Sequence, residues 1–174
     1  CRMFTDASTM YEESLTMYQR IYGSEDHSDV AASLCNLARV YLAQGRLDDC
    51  VPLQEKSLAM LRRIHGSNDH SDVLAALRSL AEVYQAQGRL DEAVPLYEES
   101  VAMERRTLGG KDHMSVVASL CRLAKLYEAH GRLEKSTALY MEALAMLRRI
   151  HGNKDHSSVA ALLWRQRSHL ARPL

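Results

Sequence analysis

Apolar side chains recur along this chain on two length scales, a short one nested inside a long one. Val30, Leu34, Leu37 and Tyr41 stand at i, i+4, i+7 and i+11, the single stripe of an amphipathic helix. The stripe returns 43 residues later as Val73, Leu77, Leu80 and Tyr84, and again as Val116, Leu120, Leu123 and Tyr127. Ser28 and Ser71 precede two of these segments and are expected as N-caps, with Asp29 and Asp72 close to the positive helix end. Gly45, Gly88 and Gly131 each open a Gly-Arg-Leu tripeptide. They are expected to close the helices with the left-handed residue that C-termini favour.

A second helix is predicted to start about two residues later, near Asp48, Asp91 and Glu134. Pro52 and Pro95 fall close to those starts, within the first turn or so, where a missing N–H has little or no intrahelical partner to lose. Each segment ends on paired basic residues, Arg62-Arg63, Arg105-Arg106 and Arg148-Arg149, placed to complement the negative helix end. Gly23, Gly66, Gly109 and Gly152 keep the same period, as do Met17, Met60, Met103 and Met146; the methionines read as core filler. A fixed period of 20–50 residues marks a stacked-repeat protein, in which each unit buries its apolar face against its neighbours. No strand pattern interrupts it, so the expected class is all-α: a solenoid of stacked antiparallel helix pairs.

Composition narrows function by exclusion. Lys plus Arg and Asp plus Glu both number 22, a formal charge of zero. The basic footprint of a nucleic-acid binder is therefore missing, as is any electrostatic reason to sit on an anionic membrane. No apolar run approaches the roughly 18 residues that span a bilayer. The four cysteines are Cys1, Cys35, Cys50 and Cys121. Cys35 and Cys121 share one position in separate periods, which suits reduced thiols in a reducing, cytoplasmic compartment better than a disulfide framework. The chain opens on Cys1 rather than Met, and an upstream segment is expected.

Leu34, Leu37, Ala38, Tyr41, Cys50 and Ser57 reproduce the pattern of large apolar, Leu, small, Tyr, small, small that resembles the tetratricopeptide repeat. Leu77, Leu80, Ala81, Tyr84, Ala93 and Ser100 repeat it, and so do Leu120, Leu123, Ala124, Tyr127, Ser136 and Ala143. That repeat usually runs 34 residues. The longer period and the Gly-x-x-Asp-His loop are similar to the kinesin light chain and nephrocystin-type subfamily. Glu92-Ala93-Val94-Pro95-Leu96-Tyr97 carries the second-helix likeness, and Leu108-Gly109-Gly110-Lys111-Asp112-His113 the loop likeness. The loop here is one residue longer, and Ser28, Ser71, Met114 and Ser157 stand where that subfamily usually has Pro. On this alignment 1–174 is one array: complete repeats at 28–66, 71–109 and 114–152, an unpaired second helix at 4–22, and an unpaired, capping first helix at 157–170. In that last segment Gln166, Arg167 and His169 replace the expected apolar residues, while Trp164 remains. The chain reads as a piece of a longer array whose open ends are expected to self-associate.

No catalytic constellation emerges, and no enzyme activity, cofactor or metal is expected. Asp26-His27, Asp69-His70, Asp112-His113 and Asp155-His156 recur once per period. Neighbouring copies would lie a helix-pair spacing apart, roughly 10 Å, whereas zinc holds its ligands at about 2 Å. The pairs are expected to knit their loops and orient the next helix. The loop Ser67-Asn68-Asp69-His70-Ser71-Asp72 lacks the mid-loop Gly and closing Glu of a calcium site. There is no Cys-x-x-Cys, no His-Glu-x-x-His and no Gly-rich phosphate loop.

One face of each first helix remains, off the core stripe and variable between periods. It carries Cys35, Arg39 and Leu42, then Arg78, Glu82 and Gln85, then Cys121, Lys125 and Glu128, with Asn36, Ser79 and Arg122 beside them. The resemblance implies that these positions line a concave groove for extended peptides, where an Asn such as Asn36 can pair with a ligand backbone. Arg39, Arg78, Arg122 and Lys125 favour an acidic peptide, since Arg grips a carboxylate with two parallel bonds; Leu42 would anchor an apolar side chain. The chaperone-tail clamp of some family members is not matched, because its Lys and Asn are missing from the first unit. The expected role is an adaptor or scaffold binding a protein partner, similar to kinesin light chain cargo recognition. A sensor array of a larger nucleotide-switch protein and a purely structural spacer are the alternatives.

Overall fold

A computed structural model describes residues 2–23, 25–66 and 69–152. These form seven α-helices, with no strand among the described residues: α1 Arg2–Tyr22, α2 Ser28–Ala43, α3 Leu47–His65, α4 Ser71–Ala86, α5 Leu90–Thr107, α6 Met114–Ala129 and α7 Leu133–His151. The expected helix at 157–170, with Trp164 and the Asp155-His156 pair, lies outside the described residues, as does Cys1. The chain divides into two compact units, 1–96 and 97–174, and the division falls inside α5.

In the first unit α1 packs on α2, α2 on α3 and α3 on α4, and α2 also touches α4. The stripe predicted from the sequence is the core: Val30, Leu34, Leu37, Tyr41, Val73, Leu77, Leu80 and Tyr84 are all buried. Close approach depends on small side chains. Ala38 and Cys50 are fully buried, with the Cys50 thiol 3.2 Å from the Ala38 carbonyl and 3.1 Å from the Arg46 carbonyl. The Ser57 hydroxyl donates to the Ala31 carbonyl at 2.8 Å, so a polar group in the α2–α3 seam is satisfied rather than orphaned. Tyr41 donates to Glu12 of α1 at 2.6 Å, and Tyr84 to Glu55 of α3 at 2.5 Å. Each tyrosine thereby ties its first helix to the preceding second helix.

The second unit uses the same devices. Val116, Leu120, Leu123 and Tyr127 are buried, α6 packs on α7, and Tyr127 donates to Glu98 of α5. Ser119 donates to Glu104 at 2.7 Å, and this places a carboxylate only 5% exposed against α6.

The turn between paired helices is built on a left-handed glycine. Gly45 has φ +76°; its N–H bonds the Leu42 carbonyl at 3.0 Å, and the Arg46 N–H reaches back to Tyr41 at 2.9 Å. This is a Schellman closure, and a Cβ there would cost about 1–2 kcal/mol. Two sequence expectations need correction. α3 and α5 begin at Leu47 and Leu90, one residue before the predicted starts. Pro52 and Pro95, sixth in their helices, sit in the second turn, where each removes a bond to the carbonyl four residues back. Met17 also departs from the core-filler reading: it is 57% exposed, while Met60 and Met103 at the same position are about one-tenth as exposed, at 6%.

Candidate functional site

The loops that set each first helix are built around histidine, not serine. His27, His70 and His113 occupy the N-cap positions in extended backbone, and their Nδ1 atoms accept from the N–H groups of Asp29, Asp72 and Ser115, each at 3.2 Å. Ser28 and Ser71, the expected caps, are the first helical residues. At two of these three caps a ring from the preceding helix also stacks on the imidazole; at His113 the corresponding residue is Leu108. Tyr22 lies on His27 at 3.5 Å between centroids, and His65 on His70 at the same distance.

The stacked partner also reaches the carboxylate in the first turn of the next helix. Tyr22 donates to Asp29 at 3.1 Å, and His65 Nε2 lies 3.7 Å from Asp72. That hydrogen bond to Asp29, joined by burial, holds the Tyr22 phenol above its ordinary range. His65, His70 and Asp72 bring donor atoms within 4.8 Å of one another. The spacing argument applied only to histidines one period apart, so it did not foresee a second histidine from the helix before. The two rings stack face to face and His70 Nδ1 is occupied as the cap, an arrangement that makes a helix clasp.

Two aspartates of the Asp-His pairs look forward along the chain, to the end of the next second helix. Asp26 receives two bonds from Arg63, at 2.5 and 2.7 Å, and Asp112 two from Arg149, at 2.6 and 2.8 Å. These guanidinium bonds hold both carboxyls below the usual carboxylate range. The paired arginines, expected only to complement a helix end, thus make ion pairs across 37 residues; Arg105 does the same with Glu142 at 2.5 Å.

With both ends of α2 and α4 set, their remaining faces form a cleft of ≈ 340 Å³ in the first unit. Ser28, Ala32, Cys35, Asn36 and Arg39 come from α2; Asp72, Ala75, Ala76 and Ser79 from α4; Asp29 and Leu61 complete it. Of the expected residues, the cleft gathers Cys35, Asn36, Arg39 and Ser79. Arg78, Glu82 and Gln85 do not line it. Leu42, expected as an apolar anchor, instead packs against the core cluster of Leu37, Ala38, Tyr41, Cys50 and Val83, on which Tyr11 and Leu15 of α1 also pack. Cys35 is half-buried and turns its thiol to α3, 3.0 Å from Ser57 and 3.4 Å from Gln54; burial pushes this thiol up. In the second unit Arg122 and Lys125 are exposed, and Cys121 and Glu128 half-buried, on α6. Cys35, Cys50 and Cys121 carry no disulfide.

Asp29 and Asp72 were missed as site residues because their helix-end position already explained an acid there. Running the Cys35–Arg39 face back by helical steps, to 32 and 28–29, would have reached them.

The tetratricopeptide repeat profile matches residues 2–63, 29–103 and 72–149. No curated protein matches the chain. Among solved structures, the nearly identical TPR-like repeats of a Podosopora anserina protein assigned to the kinesin light chains superpose with TM-score 0.82 at 29% identity, covering 96% of this chain and 79% of that one. BtubC (BKLC) from P. vanneervenii gives 0.70 at 18%, covering 97% and 67%. The N-terminal domain of stress-induced protein-1 (STI-1) from C. elegans gives 0.59 at 13%, covering 82% and 96%; these last two share the fold. No helix among the described residues is long and apolar enough to cross a membrane. Helix pairs closed by a left-handed glycine, seamed by small residues and matched by the repeat profile over most of the length place this chain in the tetratricopeptide repeat family.

Proposed function

We propose that the chain is an adaptor or scaffold module of the cytoplasm that holds an extended peptide of a protein partner along its first helices, as the likeness to kinesin light chain repeats suggests. One observation carries the reading: apart from Leu61 and Ala76, the cleft between α2 and α4 is lined by residues outside the buried core. Asn36 and Ser79 offer backbone-pairing side chains, and Arg39 stands exposed beside them. A face that only needed solvation would have no reason to be concave, since polar side chains on neighbouring helices can fill such space by extending. In the second unit Arg122 and Lys125 extend the same chemistry to α6. Cations on these faces favour acidic segments.

A peptide array probed with the purified chain tests this, run alongside Arg39→Glu, Arg78→Glu and Arg122→Glu. Acidic peptides should bind the wild type and fade in at least the Arg39 and Arg122 variants. Interactions that survive all three substitutions unchanged remove the proposal. We further propose self-association, a second copy covering the apolar face of α1, where Met10, Met17 and Ile21 are 57–70% exposed.

A further inference from the structure

The cleft of the first unit is not uniformly basic, and that bears on what it can hold. Asp29 and Asp72 stand at one end, on the first turns of α2 and α4; Arg39 stands at the other. The two carboxylates are 47% and 51% exposed, so they meet a ligand without being stripped of water first. Asp29 is held in place by Tyr22, and Asp72 lies beside His65 and His70, at 3.7 and 3.5 Å. Between the ends, Ala32, Ala75 and Ala76 leave a shallow apolar floor with no side chain long enough to fill it. Asp29 and Arg39 are ten residues apart on one helix, which separates them by about 15 Å. An extended peptide advances about 3.3 Å per residue and returns to the same face every second residue. Four steps, roughly 13 Å, plus the reach of long side chains, match the two ends. The residue midway falls on the alanine floor.

We infer that this cleft takes a peptide of mixed charge with the spacing Lys/Arg-x-aliphatic-x-Asp/Glu, read in either chain direction: the cation lies between Asp29 and Asp72, the aliphatic side chain on Ala32, Ala75 and Ala76, and the carboxylate on Arg39. The inference rests on the peptide-binding reading above and corrects its charge preference in the first unit. A wholly acidic peptide would bring one carboxylate against Asp29 and Asp72, and like charges in contact are unfavourable. The second unit lacks the acidic rim, because Ser115 occupies the position of Asp29 and Asp72.

Fluorescence polarisation with the full chain and three labelled probes decides it: Lys-Ser-Val-Ser-Glu, Glu-Ser-Val-Ser-Glu and Lys-Ser-Val-Ser-Lys. Exposed ion pairs are individually weak, so the mixed probe is expected to bind roughly threefold to fivefold tighter than either of the others. The Asp29→Asn, Asp72→Asn double variant should erase its advantage over the acidic probe, and Arg39→Gln its advantage over the basic one. Circular dichroism establishes that each variant keeps its helices, and Asp72→Ser, copying Ser115, serves if Asn at that turn loosens α4. An acidic probe that binds as tightly as the mixed one overturns the inference and leaves peptide binding standing. An unchanged probe order in the double variant does the same. If none of the three probes binds and the peptide array is also blank, the parent reading falls and this one with it.

Discussion

The tyrosines that tie first helices to the preceding second helices should make the fold sensitive to alkali in a way that isolates one contact. Tyr84 is 7% exposed and donates to Glu55 at 2.5 Å. Burial first, then the hydrogen bond and the charge of Glu55, push its phenol up to about 12 from an ordinary value of 10.0. Tyr127, facing Glu98, is pushed up to about 12 for the same reasons in the same order. A group whose folded pKa lies above its unfolded one contributes stability that is complete below the unfolded value, here about pH 10, and is lost as pH rises through the folded value near 12. Two units correspond to about 2.7 kcal/mol between protonation states. Glu55 is itself exposed, so solvent screens its share and about 1–2 kcal/mol is the reasonable expectation. The perturbation is Glu55→Gln, which removes the carboxylate and leaves the burial. NMR of Tyr84 labelled at Cζ, assigned with Tyr84→Phe, should show the midpoint moving down yet staying above that of an exposed tyrosine. Denaturant unfolding between pH 9 and 12 should show a shallower alkaline loss in Tyr84→Phe than in wild type. Tyr84 titrating like an exposed phenol, or keeping its midpoint in Glu55→Gln, refutes the reasoning.

Replacing the cap His70→Ala should cost about 0.5–2 kcal/mol in chemical denaturation, and His70→Asn should recover most of it, because Asn also accepts from an N-terminal N–H. Pro52→Ala restores the bond to the Asp48 carbonyl, and Ala138 already holds that place in α7. An interior proline costs about 3 kcal/mol relative to Ala, partly offset by the stiffer unfolded chain, so a gain of about 1–2 kcal/mol in unfolding free energy is expected. Arg149→Gln should raise the Asp112 midpoint, followed by carboxyl NMR. A depressed carboxyl contributes stability above its unfolded pKa and loses it as pH falls through the folded one, so the variant should lose less on acidification than wild type. Light scattering across a concentration series should show mass growth that Met17→Lys suppresses; a strict monomer at high concentration removes the self-association proposal.

What could be read from the chain was whatever helical periodicity couples directly to burial. Leu34, Leu77 and Leu120 are almost wholly inaccessible because one face of a helix packed on both sides leaves no other place for them. What could not be read was partner choice, which depends on elements far apart in sequence. Ser28 was the better statistical cap, but the histidine before it takes the cap through Nδ1, and nothing local to positions 27 or 70 reveals the rings of Tyr22 and His65 that stack there. Arg63 finds Asp26 at a separation of 37 residues, a distance set by how an α2–α3 pair folds back rather than by any periodicity within a helix. Of the candidate site, Asn36, Arg39 and Ser79 were legible because leaving the core stripe is a property of one helix. Leu42 was not, since it packs on a cluster that draws Cys50 from α3 and Val83 from α4. The prolines failed on counting: Pro52 and Pro95 are already fifth from Asp48 and Asp91, past the four N–H groups that a helix start leaves unbonded.

Three positions linked across the loops connect this stability chemistry to the cleft. Where the residue before the loop is Tyr22 or His65, the first turn after it carries Asp29 or Asp72; where it is Leu108, the first turn carries Ser115. In the first unit a polar tip and a carboxylate occur together; Leu108 is followed by Ser115, and His151, a polar tip, by Ser158. The pairing has a physical reason on each side. A carboxylate at a helix start is stabilised by the positive end, but its rotamers stay open unless something fixes them. Tyr22, clamped on the cap ring, supplies that restraint to Asp29 and gains an acceptor in return, while His65 lies 3.7 Å from Asp72 without bonding it. The clasp that starts α2 and α4 therefore also aims two negative charges into the cleft between them. Ordering Asp29 during folding spares a ligand that cost on binding. A face designed only for solvation would gain nothing from a fixed carboxylate, which makes the coupling an argument for recognition at this end of the cleft.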